Sequence, residues 1–230
     1  MGCIMVFKKI DEKFNEVAND FDNLMVKIIP DYAYFQRVLV DCLPFAENDS
    51  FRVIDLGCGT GNLGKMIADK FPNAEIVCVD FSEDMLKSAK EKIGGRAEYI
   101  LGDFNSFEFD GKFDAVVSSL ALHHLESDAD KSNFYRKMYD AMNENAVHLN
   151  FENVLSENDK VQDIAIAKWR QFMQQSFSDE EIDNVWLAGY YDDDHPITLA
   201  KHAKIMGEIG FSDFDVILKE YNFALLYFMK

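Results

Sequence analysis

The chain has 230 residues, 48% hydrophobic and 13% aromatic, and a formal net charge of −18. That composition builds one sizeable core and excludes a disordered chain. The charge argues against a nucleic-acid partner, whose affinity rests on neutralising phosphates, and favours a small-molecule or cationic one.

Cys3, Cys42, Cys58 and Cys78 show no CxxC spacing and read as reduced thiols of a cytoplasmic protein. Met1 to Ile10 carries its lysines after its apolar part, the wrong order for a secretion leader. No apolar run approaches the roughly 18 residues that a membrane span needs, so no membrane partner is expected. A homodimer is left open.

In chain order, "DEKFNEVANDFDNLMVKII" places Phe14, Val17, Phe21, Leu24 and Ile28 at helical spacing before the break at Pro30. "DYAYFQRVLVDCL" predicts a second helix, closed by Pro44. Arg52 to Leu56 is apolar apart from its first residue and Asp55, the pattern of a strand covered on both faces. A helix over "GNLGKMIADKF", a strand over "EIVCVD", a helix over "SEDMLKSAKEKI" and a strand over "AEYIL" follow. Ser82 is placed to cap the second of these helices and Gly94-Gly95 to stop it. "FDAVVSS" and "NAVHLNF" are further strands, with a helix from about Lys131 to Met142 between them. This alternation predicts a parallel sheet wrapped by helices.

The last third changes character. Asp159 to Gln175 predicts a long helix, and Ser178 with Glu181 a capping box for the next one. "HPITLAKHAKIMGEIGF" predicts a third helix with Pro196 in its first turn, and "DFDVILKEY" with "NFALLYFMK" two strands turning at Tyr221-Asn222. The expected layout is N-terminal helices over 1–50, a core over 51–156, a helical cap over 157–194, and a last helix with a β-hairpin over 195–230.

"FRVIDLGCGTGNLG" carries the chemistry. Four glycines fall within eight residues, between a strand and a helix. Gly57, Gly59 and Gly61 permit positive φ and close approach of a ligand, and free N–H groups at the helix start point into the loop. Gly59 to Gly64 formally matches the dinucleotide pattern G-x-G-x-x-G, but it begins two residues too late. Asp55, ahead of the loop, would face a ligand ammonium and would repel a pyrophosphate.

The segment "VIDLGCGTG" resembles the first motif of the class I S-adenosylmethionine (SAM) methyltransferases. "VCVDFSEDML", "LGDFNSFEF" and "FDAVVSSLALHHL" resemble the next three, in order and at ordinary spacing. The resemblance spans roughly residues 14 to 230. It implies a doubly wound, mostly parallel, Rossmann-like α/β sheet of seven strands, with N-terminal helices and a helical cap ahead of the hairpin. It also implies SAM as cofactor and S-adenosylhomocysteine as product.

Under the resemblance, Asp55 answers the ammonium, and the loop (Gly57, Cys58, Gly59, Gly61) takes the carboxylate. Asp80 takes the ribose hydroxyls, Phe81 and Met85 line the adenine slot, and Asp103 and Phe104 (through its N–H) meet the adenine edge. The strand end at Ser119 lies beneath the methyl. The step "IIPDYAYF" and the C-terminal segment resemble the branch holding carboxy-SAM synthase and related small-molecule methyltransferases, in which Tyr32 reaches the cofactor.

Two departures matter. Members of the branch often have an arginine early in the first helix, where this chain has Met25. The arginine that holds the extra carboxylate in carboxy-SAM synthase also has no counterpart here. Trp186 stands nearest that position, and no Arg or Lys occurs from Ser176 to Ala200. Arg170 is the best remaining cap cation, placed either to hold a substrate acid or to make a surface salt bridge.

Methyl transfer to a small-molecule acceptor is the expected activity. A SAM-derivative synthase, an NAD-dependent oxidoreductase and a non-catalytic SAM-binding protein are the alternatives. His123 and His124 are the candidate general bases; His123, four residues after Ser119, is preferred in its neutral form. Trp169, Phe172, Trp186, Tyr190 and Tyr191 either close a cavity over the substrate or form a cap core. The acids of "YYDDDHP" are expected to cap the next helix at Asp194 or His195, and no metal is expected.

Overall fold

The structure, a computed structural model, describes residues 21–230. Phe14, Val17 and Cys3 lie outside the described residues. Two helices come first, α1 (Phe21–Ile28) and α2 (Tyr32–Asp41), separated by the Pro30 break with Asp31 at φ 50°. There follow β1 (Arg52–Leu56), α3 (Asn62–Lys70), β2 (Glu75–Asp80), α4 (Glu83–Ile93), β3 (Ala97–Leu101) and β4 (Phe113–Ser119). Next are α5 (Asp128–Ala141), β5 (Met142–Leu155) and α6 (Asp159–Met173).

The cap then makes one helical run: Asp179–Glu181, a π-helical stretch Ile182–Leu187, and Ala188–Asp192. The chain closes with β6 (Ile197–Thr198), α7 (Leu199–Ile209), β7 (Ser212–Glu220) and β8 (Phe223–Met229).

Strands lie in the order β3-β2-β1-β4-β5-β8-β7, with β6 paired to β5 off this path. Pairing is parallel from β3 through β5, and antiparallel where β8 joins β5 and β7. The sheet is therefore mixed, as the C-terminal hairpin requires. Strand order reverses between β1 and β4, and the carboxyl ends of those strands open a crevice at the switch point.

Alternation along the strands sends apolar side chains to both faces. Val53, Val117, Leu149 and Phe151 join one core with α1 to α4, α6 and the cap. Ile54, Leu56, Val116 and Phe228 join a second core with α5 and α7. Burying a side chain of this size contributes about 1.5–3 kcal/mol, which is why the central strands tolerate so few polar residues.

Several boundaries follow from named residues. Ser82 caps α4 by accepting the Met85 N–H. Ser127 and Asp130 form a capping box that starts α5 three residues before the expected Lys131. Ser178 and Glu181 form the capping box read from the sequence. The last helix begins at Leu199, capped by Thr198, because Ile197–Thr198 first pairs with β5.

The cap is tied to the N-terminal helices. Trp169 Nε1 donates to Ile28 O at 2.7 Å, and its ring meets Tyr190 and Phe223 edge-on, each at 5.5 Å. Trp169 and Tyr190 thus belong to the core, while Tyr191 is 66% exposed. Among the described residues, no helix is long and apolar enough to cross a membrane.

Candidate functional site

The glycine loop is folded as its residue types require. Gly57, Gly59 and Gly61 have φ of 70°, 53° and 82°. A Cβ on Gly57 would overlap Ala121 Cβ, and one on Gly61 would stand 2.9 Å from Ala89 Cβ. Above Gly59 the space is open, with Phe21 as its nearest neighbour at 3.8 Å.

Not all the loop amides face outward. Val79 O accepts both the Gly57 and Cys58 N–H groups at 2.9 Å, and Cys58 O accepts that of Gly61. Asp80 Oδ2 accepts the Gly59 N–H at 2.8 Å, and Oδ1 the Ser82 N–H at 3.0 Å. The acceptor capacity that remains on this carboxylate is available to a ligand diol.

Asp55 sits at the end of β1, 1% exposed, and both its oxygens lack a hydrogen-bond partner. Burial first, then the charge of Asp80, pushes its pKa up to about 7, and the nearby Gly64 N–H offsets only part of this. A buried, unpartnered carboxylate is costly unless a cation answers it.

The other expected positions fall as follows. Tyr32 Oη accepts from Gln36 Nε2 at 2.9 Å, and the same nitrogen donates to Ser119 Oγ at 3.2 Å, so α2 reaches the end of β4. Burial, then Asp22 and Asp55, holds the Tyr32 hydroxyl protonated well above its ordinary range. Met85 is buried, whereas Phe81 is 63% exposed beside it on the rim. Asp103 accepts the Asn105 N–H at 2.8 Å. The Phe104 ring packs 5.0 Å from Phe134, with its edge reaching towards Gly57. Leu120, just past Ser119, has φ 56°, a strained value for a branched residue next to a crevice.

His123 is buried in the 3-10 turn Leu122–His124 that follows β4. Its Nδ1 meets Glu152 Oε1 at 2.5 Å, and its Nε2 stands 3.6 Å from Asp194 Oδ1. Burial alone would lower its pKa, but Asp194 and Glu152 outweigh that and hold it above the ordinary value. That shift opposes the neutral form a base needs at pH 7.

Arg170 meets Asp183 through both terminal nitrogens and Asp179 at 3.0 Å, so its guanidinium is already engaged. Trp186 lies in the π-helical stretch, 5.4 Å from Phe177, with its Nε1 buried and unpartnered. Asp194 does not cap the last helix: Thr198 does, and Asp194 turns to His123 and His124 instead.

Sequence reasoning missed three residues. Asp22 on α1 accepts from Thr60 Oγ1 (2.6 Å), Asn62 Nδ2 (2.7 Å) and Lys92 Nζ (2.7 Å), latching the first helix onto the loop. Nothing local marks it. Gln36 bridges Tyr32 and Ser119, as above. Glu152 had a signal: His148, Asn150 and Glu152 recur at every second residue, alternating with the apolar Val147, Leu149 and Phe151, hence on one face.

The chain matches the model of a methyltransferase domain over residues 53–145. It is 27% identical to the carboxy-S-adenosyl-L-methionine synthase of Nautilia profundicola, over 94% of each chain. It is 30% identical to the same enzyme of Campylobacter concisus, over 72% of each. It is also 31% identical to a malonyl-[acyl-carrier protein] O-methyltransferase of Ilyobacter polytropus, over 52% of this chain and 45% of that one.

Among solved structures, a putative O-methyltransferase from Nostoc punctiforme superposes with a TM-score of 0.68 at 19% identity. The match covers 94% of this chain and 60% of that one. Human N-acetylserotonin methyltransferase in complex with SAM superposes with a TM-score of 0.59 at 17% identity, over 86% and 52%. The chain thus spans less than two thirds of both solved proteins, and the likeness to them is one of fold. Together with the glycine crevice and its two carboxylates, these matches show that the chain belongs to the class I SAM-dependent methyltransferases, in the branch that resembles carboxy-SAM synthase, and is an enzyme that uses SAM.

Proposed function

We propose that the protein transfers the SAM methyl group to a small-molecule acceptor, and that Asp55, the glycine loop and Asp80 hold the cofactor. The orphaned Asp55 carboxylate and the open space over Gly59 fit a ligand that brings an ammonium to a bare backbone. Asp55 answers that ammonium, Asp80 the diol, and Met85 with Phe81 the adenine. Tyr32, held by Gln36, closes the crevice beside Ser119.

SAM supplies an electrophilic methyl on a positive sulfur. The chain's part is alignment, and such positioning lowers a barrier by roughly 7–11 kcal/mol. No proton transfer is assigned to His123, whose pKa Asp194 and Glu152 hold above its ordinary value.

The observation that carries methyl transfer over carboxy-SAM formation is the want of a free cation in the cap segment around Trp186. Arg170 is engaged by Asp179 and Asp183, and no Arg or Lys occurs from Ser176 to Ala200. A carboxylate on the cofactor would lie there without a partner. The second reading, a carboxy-SAM-like synthase, is favoured by relatives of that name that align over 94% of each chain.

Methyl-labelled SAM, incubated with the enzyme and a deproteinised small-molecule extract, separates the two. Label in an acceptor with matching S-adenosylhomocysteine supports methyl transfer. A nucleoside that keeps its label and gains a carboxyl group overturns it.

A further inference from the structure

At the carboxyl edge of the sheet, two adjacent histidines and one acid from the cap loop converge on a point none of them fills. His123 and His124 follow β4 in a single 3-10 turn, Leu122–His124, which sets their rings 4.2 Å apart and tilted by 51°. Asp194 reaches them from the loop after the cap, a loop docked here by the His195 N–H donating to His123 O at 3.0 Å. Its Oδ1 stands 3.6 Å from His123 Nε2 and 3.5 Å from His124 Nδ1. All three donor atoms lie within 4.8 Å of one another.

Those separations are too long for hydrogen bonds. A histidine that simply paired with Asp194 would close on it to about 2.8 Å. They are close to the edge of a tetrahedron around Zn²⁺: ligand bonds of 2.0–2.2 Å set neighbouring ligand atoms about 3.3–3.5 Å apart. Glu152 completes the pattern. By accepting at His123 Nδ1 at 2.5 Å it fixes the tautomer whose lone pair is on Nε2, as a carboxylate behind a metal-bound histidine does.

From these contacts we infer that His123, His124 and Asp194 bind one divalent transition-metal ion of the zinc class, with Glu152 as the outer carboxylate. Three protein donors leave a fourth position for water or an acceptor oxygen. Lys131, the buried cation nearby, turns its ammonium to the main-chain oxygens of Leu125 and His123 and leaves the donor atoms free. The His124 side chain is 48% exposed and that of Asp194 18%, which gives the ion an entry path. The inference stands apart from the methyl-transfer reading, since it uses none of the cofactor residues.

The test is a Co²⁺ titration of full-length protein stripped of metal with a chelator, followed by visible absorption, with Zn²⁺ competition and excess Mg²⁺ present. Excess Mg²⁺ masks the diffuse attraction of a chain with charge −18. One equivalent of Co²⁺ should give the intense d–d bands of a four-coordinate site, bleached by Zn²⁺. Asp194→Asn and His124→Gln, both at partly exposed positions, should each weaken Co²⁺ binding tenfold or more while circular dichroism stays native. Glu152→Gln should weaken it 10–100-fold. Absence of d–d bands at saturating Co²⁺ overturns the inference, and so does unchanged affinity in folded Asp194→Asn or His124→Gln protein.

Discussion

Asp80 Oδ2 accepts the backbone N–H of Gly59 at 2.8 Å, joining the end of β2 to the middle of the glycine loop. The same carboxylate therefore shapes the loop and presents its remaining lone pairs to the crevice. A hydrogen bond to a charged group contributes about 1.5–3 kcal/mol. Asp80→Ala should accelerate amide hydrogen exchange at Gly59 by roughly 10–150-fold in ligand-free protein. An unchanged rate would show that Val79 and the helix start suffice to hold the loop.

Asp55 gives a prediction in pH. Its pKa in the fold is about 7, against an ordinary 3.8. Between those values the native state binds more protons than the unfolded one, so this group lowers stability as pH rises, by up to about 1.4 kcal/mol per pH unit. Urea denaturation of ligand-free Asp55→Asn should show it more stable than wild type at pH 7, with the gap narrowing towards pH 4. A gap that widens on acidification would contradict the burial argument.

How far the sequence carried depends on where each determinant sits. The strand-loop-helix around Gly57, the Ser82 and Ser178 caps and the Tyr221 turn are local, and all are legible in a few residues. Asp22 reaches Thr60, and Arg170 reaches Asp183, only after the chain has folded. No periodicity marks such contacts. Local propensity also misplaced the start of α7, because pairing of Ile197 with Val154 overrides the helical pattern that begins at His195. The π-helical turn around Trp186 had no sequence signal at all.

Gly57→Ala tests the packing beneath the loop. The substitution asks an L-residue to hold φ 70°, and its Cβ overlaps Ala121. Left-handed backbone costs about 1–2 kcal/mol and overpacking about 1–3 kcal/mol more. Chemical denaturation should show a loss within about 2–5 kcal/mol. A loss below 1 kcal/mol would mean that the turn after β4 yields freely.

Tyr32→Phe removes the hydroxyl that Gln36 donates to, while keeping the ring against Phe151 at 6.3 Å. A net hydrogen bond is worth about 0.5–1.5 kcal/mol, so thermal stability should fall by a few degrees at most. If the hydroxyl meets the cofactor, the SAM dissociation constant should rise more than the stability loss explains. Calorimetry on the folded variant reads both; equal SAM affinity would remove Tyr32 from the site.

Isothermal titration of SAM into wild-type, Asp55→Asn and Asp80→Asn protein tests the cofactor assignment most directly. One site per chain in wild type, at least tenfold weaker binding in each variant, and no heat with NAD are the expected results. Wild-type affinity in both folded variants would contradict the claim that these two carboxylates answer the ammonium and the sugar.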